Sequence, residues 1–527
     1  MKASFRQSMA WLHAWSGLMV GWVLFAVFVT GTASYYRSEI SRWMRPELVA
    51  MADPNSERLS RAAEHGVRYL KAHAGDATGW SIGMPSADFP LIELYWRSRP
   101  GPPTGHALLD PQTGEPAKVR ATKGGDFFYR FHFELHMPPL WGRWVVGICA
   151  MIMLIALVSG IITHRRIFAD FFTFRRNAKS VQRGWLDAHN VSGVLALPFH
   201  LMITYTGLIT FALLYMPWGV QIAYHGDAPR FYAEAGQILP LRTPLGQPGA
   251  LLPLGSFVTR AIDAVPQPLE RITVNHPYDV NATVLAIFEE PHGLAHVHPQ
   301  ISFDGVTGAE LGRTEEPRAA ARTFATMVGL HEAHFAGPAL RLLFFLSGLM
   351  GCAMVATGLL LWTAARLPKA GRSRPGFGWR LVHVLNVTTI AGLPIAIAVY
   401  LLANRLLSIG LADRAELEVL AFFTAWVATA FVAALRPRSR AWSELLTTAS
   451  ILFAAVAAAD GLRILLADRA EPRIEPFFFL FDGAMLCISV GLVLAARKVM
   501  HRAYDCRTQR AQSDLVNLPI PSSTQVR

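Results

Sequence analysis

The sequence predicts an α-helical polytopic membrane protein of about eight transmembrane helices, with two small α+β domains outside the bilayer and an internal parallel duplication. Three observations predict this. Mean hydropathy is +0.30 and only 16% of the 527 residues are charged, which is too apolar for an ordinary soluble chain. Long runs nearly free of charge recur at the roughly 20-residue length that crosses a hydrocarbon core. One pattern of histidine, threonine and glycine also occurs twice in the same order.

The expected spans are roughly 9–35, 140–163, 188–216, 339–364, 382–404, 415–435, 444–465 and 476–497. The first is too long for a cleaved signal peptide and ends on Tyr35 and Tyr36, where a cleavage site needs small residues. Segments 37–138 and 217–338 are long enough to fold outside the membrane, the first preceding a span and basic loop (139–187), the second lying between spans at 188–216 and 339–366. A C-terminal bundle (381–500) and a tail (501–527) complete the chain.

The net charge of +12 is an orientation signal. Basic residues crowd 164–183 (with Arg175, Arg176 and Lys179), 366–380, 436–440 and the tail, all on the same side as Lys2 and Arg6. The positive-inside rule then places both termini in the cytoplasm of a bacterial inner membrane. The lipid bilayer is the expected surface, and nucleic acid is not an expected partner. Cys149, Cys352 and Cys487 fall within spans and Cys506 in the tail, so neither a disulfide framework nor a cysteine metal site is expected.

The duplication is read residue by residue. His13-Ala-Trp-Ser-Gly17 opens the first span and His189-Asn-Val-Ser-Gly193 the third, and Thr30-Gly31 and Thr206-Gly207 follow at the same distance. His136, Arg143 and Gly160 correspond to His334, Arg341 and Gly358 at a constant shift (136 to 334, 143 to 341, 160 to 358). Each outer segment carries a helix (around 56–73 and 254–264), an alternating strand (91–96 and 283–288), and a strand entering an Asp-x-x-Thr-Gly turn, at Asp110–Gly114 and Asp304–Gly308. Spans five to eight do not continue the pattern. Trp379 to His383 faintly echoes Trp185 to His189, and the rest reads as Ala-, Leu- and Val-rich scaffold with almost no interior polar groups.

An ionisable side chain inside a membrane is a functional-site candidate by default. His13 and His189 share a depth on neighbouring helices, so two neutral imidazoles can grip one haem iron there. The alternative is helix packing through Ser16 or Ser192. His136 and His334 are the expected outer pair. His132 and His331 lie one helical turn before them, so either member of each couple can be the ligand, with a preference for those nearer the membrane. Arg143 and Arg341 are candidates for haem propionates or for interfacial snorkelling. His200 is a mid-membrane histidine without a repeat partner, and His383 is a possible substitute inner ligand. His292, His296 and His298 form a candidate metal or ferric-chelate site, with His296 and His298 projecting together if the stretch is a strand; no carboxylate stands at suitable spacing. No catalytic nucleophile is expected. Gly-x-Ser-x-Gly and His-Glu-x-x-His are absent, and His331-Glu-Ala-His334 is one residue short of a zincin motif.

On these residues the chain resembles the PepSY-associated transmembrane helix family. The resemblance covers roughly residues 5–400 and rests on His13, the Asp110–Gly114 and Asp304–Gly308 turns, the His132/His136 and His331/His334 couples and His189. It implies two PepSY-like periplasmic domains on an iron-regulated inner-membrane protein. It also implies haem b, two per chain, and one-electron transfer to a periplasmic ferric siderophore or other ferric chelate. Longer relatives carry a cytoplasmic flavin- and nicotinamide-binding module, but here the inner loops are too short and no strand leads into Gly-x-Gly-x-x-Gly. The electron donor, a quinol or a cytoplasmic reductase, is therefore left open. Two other classes stay open: a metal or siderophore permease without redox activity, and a protein-binding regulatory or assembly factor.

Overall fold

The computed structural model describes residues 4–48, 54–98, 104–164, 180–236, 238–367, 376–466 and 476–516, with side chains to 501 except at 439. The basic residues Lys2, Arg175, Arg176 and Lys179, the segment 368–375 and the Cys506 side chain lie outside that description.

Helix α1 (Phe5–Ser34) begins at a capping box, in which Ser4 accepts from the Gln7 amide and the Gln7 side chain accepts from that of Ser4. It continues through α2 (Arg37–Trp43) to α3 (Ser56–His73), then strands β1 (Gly79–Gly83), β2 (Ile92–Arg97) and β3 (Gly105–Leu109). A short helix α4 (Asp126–Glu134) leads into α5 (Pro139–Thr163). The sequence-expected third span proves to be two helices, α6 (Val181–Leu195) and α7 (Leu197–Thr210), meeting at a 68° bend. Pro198 is the physical reason: it has no amide hydrogen to continue the ladder, so a helix restarts around it.

After α7 come three short helices, α8 (Ala212–Tyr215), α9 (Trp218–Ala223) and α10 (Ala228–Glu234), then α11 (Leu254–Ala264), strands β4 (Leu269–Asn275), β5 (Thr283–Phe288), β6 (Gln300–Asp304) and β7 (Glu310–Arg313), and α12 (Ala319–Glu332). Helices α13 (Pro338–Ala365), α14 (Phe377–Leu406, with a π-turn over Thr388–Gly392), α15 (Arg414–Leu435), α16 (Arg438–Leu466) and α17 (Pro476–Val516) finish the chain. Among the described residues seven helices are long and apolar enough to cross a membrane, or eight if the bent pair is one span. The chain is thus a mostly helical, multi-pass membrane protein with a small antiparallel sheet.

The two segments expected to fold separately do not. Their strands form one seven-stranded antiparallel sheet in the order β3-β2-β1-β4-β5-β6-β7. The seam is the β1–β4 pair, with Trp80 opposite Val274 and Ile82 opposite Ile272. A three- or four-stranded half would present its innermost strand as an unpaired edge, and pairing the two edges removes that liability. Helices α3 and α11 cover one face, where Leu70, Trp80, Phe257, Ile272 and Phe303 are buried together. Both turns form as the sequence indicates: the Asp110 and Asp304 carboxylates each accept from the amides two and three residues on, and Gly114 and Gly308 take φ of 75° and 77°.

The C-terminal bundle is not bland. Arg414 and Glu418 are fully buried and ion-paired, Glu418 accepts from the Asn404 amide at 2.8 Å, and Arg120 donates to the Asn404 carbonyl. Asp460, also fully buried, bridges Arg405 and Arg463. These residues sit near helix ends, where a sequence reading sees ordinary flanking charges. The fold turns them inward to lock the bundle to the segment around Arg120.

Candidate functional site

Four of the predicted histidines meet as two pairs. On the side away from the sheet, His13 of α1 and His189 of α6 stand with ring centroids 5.9 Å apart. On the sheet side, His132 of α4 and His331 of α12 stack with centroids 6.0 Å apart and planes inclined by 29°. About 27 Å of helix, at 1.5 Å per residue, separates His13 from Gly31, the residue of α1 against which His132 packs.

All four rings are held by one local device. His13 Nδ1 is 2.7 Å from the Ala156 carbonyl, His189 Nδ1 2.8 Å from Met354 and His132 Nδ1 2.8 Å from Val27. His331 bonds the Ile203 backbone, with Thr206 Oγ1 3.2 Å away. Four residues beyond each carbonyl stands a glycine, and the ring lies in the notch it leaves. A methyl group would come within 3.0 Å of the His13 ring at Gly160, 3.1 Å of His189 at Gly358, 2.5 Å of His132 at Gly31 and 2.8 Å of His331 at Gly207. The helix carbonyl already accepts from the glycine amide and has a second lone pair for the ring. Because a carbonyl can only accept, Nδ1 carries the proton and Nε2 is the basic nitrogen.

The sheet-side rings are neutral for a physical reason. Burial lowers His132, partly offset by its bond to Val27, and burial followed by the neighbouring His132 pushes His331 down to about 3. They line a cavity of about 1080 Å³ together with Gly31, Gly207, Arg143 and Arg341. Glu93 of β2 and Arg271 of β4 reach the same cavity, which places it under the sheet face that α3 and α11 leave open.

The sheet-side pair is therefore not the one that constant register favours. Leu135 and Ala333 end α4 and α12 in the left-handed conformation, at φ 52° and 59°. His132 and His331 precede those caps and pair with each other; His136 and His334 follow them and take other partners. His136 packs against Phe127 and Phe423, and His334 approaches Glu290 and Glu332 at 3.4 and 3.6 Å. The other candidates also find definite places. Arg143 is paired with Glu134 at 2.8 Å and Arg341 with Glu39, so each already has a protein carboxylate, although both line the cavity. His383 stacks on Trp379 at 5.4 Å. His200 is fully buried between Phe28 and Phe199, beside the Ser347 backbone.

His292 is exposed and apart. His296 and His298 lie in an irregular loop, not a strand, and carboxylates do gather around them. Glu290 Oε1 contacts His296 Nδ1 and lies 3.3 Å from His298 Nε2, while Glu270 is 3.2 Å from His298 Nδ1. Glu332 is 3.5 Å from His296 Nδ1. Bonds from Glu270 and Glu290 raise His298 to about 10. Burial works to raise Glu290, yet the three histidines outweigh it and hold the carboxylate well below its usual range. The expectation that no carboxylate stands at suitable spacing is thus corrected: Glu332 arrives from another helix, which spacing does not disclose, and Glu290 lies just before Pro291 and is brought back by the loop.

The family described as the PepSY-associated TM region matches residues 10–365. The chain belongs to that family. Its PepSY-associated region takes in both imidazole pairs, the whole sheet and all of α13, and leaves the C-terminal bundle outside. An Uncharacterized protein PA4219 of Pseudomonas aeruginosa is 27% identical over 329 residues, which covers 56% of this chain and 76% of that one.

Proposed function

We propose that this PepSY-associated membrane protein is a haem b reductase of the inner membrane that passes electrons to a periplasmic ferric siderophore or other ferric chelate and so frees the iron. The observation that carries the reading is the device repeated at His13, His189, His132 and His331. His13, His189 and His132 have Nδ1 committed to a backbone carbonyl, and His331 is bonded to the Ile203 backbone with Nδ1 beside Thr206 Oγ1, which leaves Nε2 of each ring for a metal. Two imidazoles sharing one metal stand about 6 Å apart, allowing about 2.0 Å of bond and about 1.1 Å of ring on each side, and both pairs match that spacing. His13 with His189 would hold one haem and His132 with His331 a second. When bound, haem supplies reversible one-electron transfer at each level.

The protein's part is orientation and access. The glycine notches fix the rings, and about 27 Å of α1 between the levels is close to the thickness of a hydrocarbon core. Arg143 and Arg341 keep positive charge at the cavity wall, where an anionic chelate or a propionate would meet it. The crowding of basic residues in the loops on the opposite side supports a periplasmic position for the sheet. The duplicated order of histidines and glycines supports an origin of the four-helix core by internal repeat.

A metal or siderophore permease is the second reading, favoured by the bend between α6 and α7 and by the cavity beside it. One experiment separates the two. Haem is quantified in the purified protein and in His13→Ala, His189→Ala, His132→Ala and His331→Ala, with His136→Ala as control. Two haems per chain, one lost with either member of a pair, are expected. A colourless wild type rejects the reductase and leaves the permease.

A further inference from the structure

The two halves of the core part company at one place. In the first half Glu134 is taken by Arg143. Its counterpart Glu332 is not taken by Arg341, which pairs instead with Glu39. Glu332 is left facing His296 and His334. The loop bearing His296 is seated by the helix that bears Glu332: the His296 amide donates to the Ala325 carbonyl at 3.0 Å. The same loop crosses Gly329 so closely that a methyl group there would stand 2.0 Å from the Leu294 carbonyl oxygen. The left-handed cap at Ala333 swings His334 back to the same point. Two chain segments, 290–298 and the end of α12 with the residue beyond its cap, are thus brought together by backbone features.

From this convergence we propose that Glu290, His296, His298, Glu332 and His334 form a binding site for one first-row divalent transition-metal ion, distinct from the two imidazole pairs. Ligand atoms of Glu290, His296 and His298 lie within 4.8 Å of one another, as do those of His296, Glu332 and His334, so the two triads share His296. Glu290, the hub, is only 12% exposed. Three imidazoles with two carboxylates suit iron, zinc, nickel or copper, whereas magnesium and calcium take oxygen donors. A metal ion binds the deprotonated ring nitrogens and carboxylates, so its affinity falls as pH is lowered.

The site opens onto the cavity, since Glu332 and His334 both line it, and Glu332 follows His331 directly in the chain. Ferrous iron leaving a chelate beneath the sheet would meet these ligands first. That origin for the ion rests on the reductase reading; binding itself does not.

The test is calorimetric titration of Zn(II) into untagged, chelator-washed full-length protein in detergent, with haem content measured on the same samples. One zinc per chain is expected, with His296→Ala and Glu290→Gln each weakening binding by about 100-fold or more. Exposed His292→Ala should leave binding unchanged. Haem content unaltered in all three variants shows that they fold and separates this site from the imidazole pairs. A wild type without stoichiometric zinc, or variants that bind it as tightly as wild type, overturns the site and leaves an ion-paired cluster. Zinc binding by a colourless protein upholds the site while rejecting the reductase.

Discussion

Gly31→Ala isolates the notch from every other property of the helix. The added methyl group would lie 2.5 Å from His132 Nδ1 and 2.6 Å from Cε1. Ordinary heavy-atom contact is about 3.5–4.0 Å, so the ring must retreat by about 1 Å. That stretches its 2.8 Å bond to the Val27 carbonyl beyond hydrogen-bonding range. Losing the partner that orients a metal-binding histidine weakens metal affinity by about 10–100-fold, or roughly 1.4–2.7 kcal/mol. Helix propensity runs the other way, favouring alanine by about 1 kcal/mol, so the fold should survive. Gly17→Ala, on the same helix with open space around it, supplies the control. The assay is haem per chain with a potentiometric titration of the α band. The expected result is loss of the sheet-side component in Gly31→Ala, with the His13/His189 component intact and both intact in Gly17→Ala. Two unaltered components in Gly31→Ala would refute the claim that the notch positions His132.

Other perturbations test the frame around the pairs. Arg414→Ala leaves Glu418 buried without its ion partner and should cost about 3–5 kcal/mol, whereas replacing both residues by methionine should cost much less; thermal melts of the detergent-solubilised protein decide between them. Ile82→Pro removes a donor that β1 turns toward β4 at the seam, opposite Ile272. It should let limited proteolysis cut near β1, and unchanged resistance would mean that the seam is not what joins the halves. His200→Leu removes a fully buried imidazole beside the Ser347 backbone and should leave both haem components in place. Loss of either component would instead give His200 a part in holding the cofactor.

What the sequence disclosed was whatever repeats along the chain. Eight apolar stretches, the Asp-x-x-Thr-Gly turns and the inner pair His13/His189 all follow from composition or fixed spacing. The joined sheet was not legible, because strand pairing between β1 and β4 depends on two edges meeting in space and leaves no periodic mark. Nor was the ion-paired interior of the C-terminal bundle. Arg414 and Glu418 stand four apart at the start of a helix, a pattern that on most proteins is a solvated face.

The choice between the two histidine couples shows where register misleads. His136 and His334 correspond under the same shift that aligns Arg143 with Arg341 and Gly160 with Gly358, whereas His132 and His331 are out of step by one residue. Yet a helix cap, unlike a residue count, decides direction. Once Leu135 and Ala333 reverse the chain, the residues just beyond them are directed away from Val27 and Ile203, which His132 and His331 reach from before the caps. The slip is tolerated because each ring bonds to backbone, and a carbonyl beside a glycine places no demand on neighbouring side chains. The residues beyond the caps were then free to diverge: His136 packs against the C-terminal bundle, and His334 joins Glu290 and Glu332 beside His296.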